Sequence, residues 1–132
     1  MKYIKTLLIL AVLFTANTTS AQSVFEKWPS IAAFHEVIAQ TFHPAEEGNL
    51  KPIKERSEEV MIKAAAVLKN DIPAEFRTDT ILKSAEKLQV KSKYLHKLVT
   101  EKAPNEIIVK SITDLHDTFH EIVGLCRPAK TE

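Results

Sequence analysis

Ile108, Ile112, Leu115, Phe119, Ile122 and Cys126 are spaced 4, 3, 4, 3 and 4 residues apart. A strand alternates its side chains every second residue and cannot gather these six on one face, whereas an α-helix does so at once. The spacing is that of a heptad seam, so this stretch is predicted to be a helix from Pro104 or Asn105 to about Leu125, buried along one side against neighbouring helices. A single amphipathic helix cannot bury its own seam. The rest of the chain must therefore supply partners.

Three other segments have the same periodicity. The first runs from about Ser30, just after Pro29, to Phe42 with the stripe Ile31, Phe34, Ile38 and Phe42. His43-Pro44-Ala45-Glu46-Glu47-Gly48-Asn49 then reads as a loop, because Pro and Gly break the pattern. The second starts near Leu50, with Pro52 suited to a first turn, carries Ile53, Val60, Ala64, Val67 and Leu68, and ends by Asn70-Asp71-Ile72-Pro73. The third runs from about Asp79 to Glu101 with Ile81, Leu82, Ala85, Leu88, Leu95, Leu98 and Val99, and Thr78-Asp79-Thr80 offers its N-cap. No alternating run of strand length occurs. Four amphipathic helices with short connections predict an all-α fold, an antiparallel up-down-up-down four-helix bundle over residues 30–126.

The amino terminus reads differently. Lys2 and Lys5 precede the apolar run Leu7–Phe14, and Thr18–Ala21 ends in small residues. This is the pattern of a cleaved secretory signal peptide over residues 1–21, followed by a polar lead over 22–29; residues 127–132 read as a tail. Cleavage would remove two lysines and turn a formal charge of +1 into −1. No second long apolar run follows, so the mature chain is expected to be periplasmic or secreted, without membrane insertion.

Composition narrows the chemistry further. A near-neutral chain of 132 residues gives no basic face for nucleic acid, and only 2 glycines leave no phosphate-cradling loop. The single cysteine, Cys126, allows no internal disulfide; in the seam it reads as a small buried hydrophobe, though a free thiol there would also allow a homodimer. No Ser/His/Asp elbow or pair of carboxylates in an apolar setting is evident, so the chain does not read as an enzyme.

Five histidines remain. His116 and His120 stand four residues apart, on one helical face beside the seam, where two imidazoles can share one metal ion. The protease motif of that spacing places Glu directly after the first His; here the residue is Asp117, so a metalloprotease is not indicated. If Ser30 is level with Leu125, a rise of about 1.5 Å per residue sets His35 level with His120 and His43 about one turn above His116. His35 falls within the first stripe. Four histidines are thus expected on one edge between the first and last helices, and His96 is expected to be an ordinary surface or hydrogen-bonded residue. A histidine-rich site suits Zn, Cu(II) or Ni, with Glu46, Glu47 and Asp117 as outer or substitute ligands. Metal buffering, delivery or sensing is the expected role. A cofactor-free helical module docking on an envelope partner is the plain alternative.

The plan also resembles the periplasmic four-helix-bundle cytochromes, the soluble b-type proteins and cytochromes c-prime. His116-Asp117-Thr118-Phe119-His120 puts His120 where those families carry an axial histidine near the end of the last helix, and His43 stands seven residues before Leu50-Lys51-Pro52-Ile53, as the b-type methionine ligand stands before Leu-Lys-x-Ile. The resemblance implies haem b held by His43 and His120 in an electron carrier. It departs from the pattern where His116 and Phe119 replace the haem-linking cysteines, which excludes covalent haem, and where Pro44 follows the His in the methionine position.

Overall fold

A computed structural model describes residues 24–70 and 72–128. The expected signal peptide, residues 1–21, and the tail from residue 129 lie outside the described residues. Among those described there are four long helices and no strand. They are α1 (Pro29–Glu46), α2 (Lys51–Lys69), α3 (Asp79–Thr100) and α4 (Asn105–Cys126). A short 3-10 turn, Ala74–Phe76, lies between α2 and α3. Each helix packs against the next, and α1 also meets α4, which closes a ring of four.

The seam on α4 is buried as its spacing requires: Ile108, Ile112, Leu115, Phe119 and Ile122 are all in the core, and Cys126 packs at its margin. Ile31, Phe34, Ile38 and Phe42 of α1, Ile53, Val60, Ala64 and Val67 of α2, and Ile81, Ala85, Leu88, Leu95 and Leu98 of α3 face them. Leu68, Leu82 and Val99 are half-buried against this core. At α3 the Thr78 hydroxyl accepts from the Ile81 amide at 3.2 Å, satisfying one of the four free N–H groups of a helix start.

The structure corrects the sequence reading of the first helix at both ends. Pro44 lies inside α1, which runs on to Glu46. Pro44 has no N–H to give to the Gln40 carbonyl, and burial of Phe42 and Ala45 on either side of it holds the helix through that gap. The stop comes at Gly48, whose φ of 94° lets the Gly48 amide donate to Ala45 O at 3.0 Å and the Asn49 amide to Pro44 O at 2.8 Å. This is a Schellman closure. At the other end, residues read as a lead belong to the core. Residues 24–27 are helical, Val24 and Trp28 are buried, and the Trp28 ring stacks on Phe76 with centroids 5.9 Å apart. Trp28 itself is extended (φ −125°, ψ 82°), as a residue before proline must be, so the chain bends there and re-enters a helix.

A candidate histidine centre on the edge of α1 and α4

The α1–α4 contact is the least extensive of the four, and its outer margin is a row of aromatic and imidazole rings. The row runs Phe25, His35, Phe119, His120, His116 and Phe42. Phe25 stacks on His35 with centroids 4.9 Å apart, and His35 stacks on Phe119 at 5.2 Å. Phe119 meets His120 edge-on at 5.5 Å, His120 meets His116 at 4.4 Å, and His116 lies flat on Phe42 at 3.9 Å. His43 approaches His116 from α1 at 6.0 Å, nearly perpendicular to it.

The four expected histidines therefore do share one edge, with different roles. His116 and His120 point Nε2 at Nε2, 3.2 Å apart. That distance has two chemical meanings. Between metal-free neutral rings it is a hydrogen bond, one Nε2–H donating to the other ring's bare Nε2, which fixes opposite tautomers on the two residues. Around a metal at 2.0–2.1 Å per nitrogen, 3.2 Å subtends roughly 100–105°, close to the tetrahedral angle. His43 is exposed, with Nδ1 3.9 Å from the Glu46 carboxylate. His35 is exposed as well, not within the buried stripe: it lies about 100° around the helix from Phe34, on the flank. There the ring packs beside Phe25 and Phe119, whose centroids are themselves only 6.3 Å apart, so the three rings form a triangle.

Burial lowers the pKa of both His35 and His116. On His35 the neighbouring His120 and then His43 add to the effect. On His116 the same two histidines act in the same direction, while Asp117 and Glu46 pull partly the other way. Both rings are thus biased toward the neutral form, the one that binds metals.

As the side chains stand, no third His, Cys, Asp or Glu among the described residues joins the His116/His120 pair in a group able to hold an ion. The pair by itself offers two nitrogens, half the number a tetrahedral ion would take. Glu47 and Asp117 are exposed and, among the described residues, form part of no such group. His96 is separate: its Nδ1 lies 2.9 Å from the Ser57 hydroxyl, tying α3 to α2. Cys126 is half-buried, and burial, helped by Glu75, pushes its thiol up to about 11, so it is no thiolate ligand near neutral pH.

Sequence reasoning missed Phe25 as a support of His35. The signal was present, because Val24 and Trp28 extend the α1 stripe backward by steps of three and four from Ile31. Among the described residues, no helix is long and apolar enough to cross a membrane. Comparison with protein-family models, curated proteins and solved structures finds no match to this chain.

Proposed function

We propose that the chain is an exported antiparallel four-helix bundle that binds a divalent transition ion at the α1–α4 edge, for metal buffering, delivery or sensing rather than catalysis. The observation that carries the reading is the 3.2 Å separation of the His116 and His120 Nε2 atoms. Two neutral imidazoles already converging at near-tetrahedral spacing need little reorganisation to take up an ion. His43 and His35 stand next to the pair, with Glu46, Glu47 and Asp117 as carboxylates outside it. The near-tetrahedral angle suits Zn better than the right angles of square-planar Cu(II) or Ni. The expected export rests on the Lys2/Lys5 start, the Leu7–Phe14 run and Ala21. An up-down-up-down course is supported by the ring pairs, since His35 meets Phe119 whereas the later Phe42 meets the earlier His116.

The packing favours an ion over haem. His43 and His120 lie on the outer margin with His116 between them, and Phe34, Phe42 and Phe119 fill the interior that a porphyrin would need. A purified protein without a Soret band would agree with this preference.

Thermal melts with Zn and with chelator test the reading. At free Zn about 100-fold above Kd the fold gains about 2.7 kcal/mol. For a domain of this size that raises Tm by ten degrees or more, at about 4–8 °C per kcal/mol. His116→Ala and His120→Ala should each abolish the rise and His96→Ala should not. An unchanged Tm in the unsubstituted protein with Zn, Cu and Ni alike would reject metal binding.

A further inference from the structure

We infer that the half-site is completed by a second copy of this chain, so that one ion is held by His116 and His120 from each of two molecules across a twofold axis. The inference rests on the metal-binding reading above and adds the source of the missing ligands. A structural zinc ion takes four ligands, and the chain presets two. Among the described residues no third ligand joins the pair: His35 packs beside Phe25 and Phe119, and exposed His43 keeps Nδ1 on the side of Glu46, 3.9 Å from its carboxylate. A twofold axis through the ion turns two nitrogens into four with no further ligand from either chain; within each chain the Nε2–H of the pair moves to Nδ1 as the hydrogen bond gives way to the ion.

Gly124 is the second, independent observation. It follows His116 and His120 at the same four-residue step, so all three lie along one line on α4 that runs from half-buried His116 to exposed His120 and Gly124. Glycine inside a helix is unfavourable relative to alanine, and usually answers a need for left-handed backbone or close approach. Gly124 has no positive φ, and a Cβ built on it meets nothing within 4 Å. Nothing within the described chain requires a glycine there. A helix from outside, crossing close to α4 just beyond the histidine pair, would. The neighbouring carboxylate of Glu121 is turned away, accepting from the Ser84 hydroxyl of α3 at 3.0 Å, which leaves the histidine line clear. Asp117 is exposed beside it, and a divalent cation on the axis offsets the meeting of two such carboxylates.

Native mass spectrometry and sedimentation velocity, on purified protein stripped of metal and then titrated with Zn, test the inference. The expected result is a monomer that doubles in mass with Zn and carries one ion per two chains. His116→Ala and His120→Ala should stay monomeric, and His96→Ala should dimerise as the unsubstituted protein does. Gly124→Leu, which leaves every imidazole in place on an exposed surface, should weaken Zn-dependent dimerisation at least tenfold. One Zn per chain with no change of mass would overturn the shared site while leaving metal binding intact. No uptake of Zn would overturn both. Dimerisation that survives His116→Ala and His120→Ala would also overturn it.

Discussion

The Nε2 atoms of His116 and His120 lie 3.2 Å apart on the outer margin of the α1–α4 edge, each ring supported by an aromatic neighbour, Phe42 beneath His116 and Phe119 beside His120. Two rings that share a hydrogen bond when neutral become two adjacent cations when protonated. The same edge carries His35 and His43. Its chemistry therefore depends on pH in a direction that can be worked out.

His35 and His116 both have folded-state pKa values below the ordinary histidine value, through burial first and the charges of His120 and His43 second. The unfolded chain thus binds protons more readily than the fold. Stability from these two rings is fully present above about pH 6.5, the unfolded value, and is lost as pH falls through the lower folded values. Metal-free protein should show a falling Tm as pH is lowered below about 6.5. His120→Ala should flatten that slope by removing one of the repelling neighbours, while a profile equally steep in the variant would show that repulsion by His120 contributes nothing to it.

Trp28 bears on where the folded unit begins. It is fully buried against Phe76, in a stretch whose sequence reads as a polar lead. Trp28→Ala should cost about 3–5 kcal/mol in urea denaturation followed by far-UV circular dichroism. A change within about 0.5 kcal/mol, as for a surface residue, would show that this segment is not part of the core.

Among the described residues two have left-handed backbone, and they give opposite expectations. Lys102 adopts φ 55° at the end of α3, where the Ala103 amide donates to Leu98 O at 2.9 Å in the same closure that Gly48 makes for α1. Lys102→Gly should stabilise the protein by about 0.5–1 kcal/mol, and Gly48→Ala should destabilise it by about 1 kcal/mol. Chemical denaturation midpoints at constant m-value read both.

His96 and Ser57 make a polar tie between α3 and α2, 2.9 Å long, with Ser57 buried. A double-mutant cycle of His96→Ala and Ser57→Ala should give a coupling of about 0.5–1.5 kcal/mol. Zn uptake by His96→Ala should be unchanged, which separates the structural histidine from the edge histidines.

The parts of this structure legible in the sequence are those governed by local periodicity. The seam from Ile108 to Cys126, the Thr78 cap and the starts of α2 to α4 follow from side-chain spacing and backbone chemistry alone. The errors arise where one local rule met a tertiary one. Pro29 and Pro44 both read as boundaries, yet burial of Phe42 and Ala45 carries the helix through Pro44, and Pro29 only bends a chain whose preceding residues are held by burial of Val24 and Trp28. The placing of four histidines on one edge was legible from helix rise and adjacency. What the sequence could not convey was which nitrogens converge: that depends on Phe25, Phe42 and Phe119 fixing the ring planes. Hence His35, expected within the stripe, stands outside it beside Phe25 and Phe119, and the nitrogens of His116 and His120 are the ones that meet.

The central claim is that those two imidazoles bind the ion, and long-range 1H–15N spectra of the histidine rings before and after Zn addition address it most directly. Metal-free protein should show His116 and His120 as a hydrogen-bonded pair of opposite tautomers. With Zn, both Nε2 resonances should move to metal-bound positions and both rings should carry the proton on Nδ1, while His96 keeps its free-state signals. Unchanged Nε2 resonances of His116 and His120 at saturating Zn would contradict the claim.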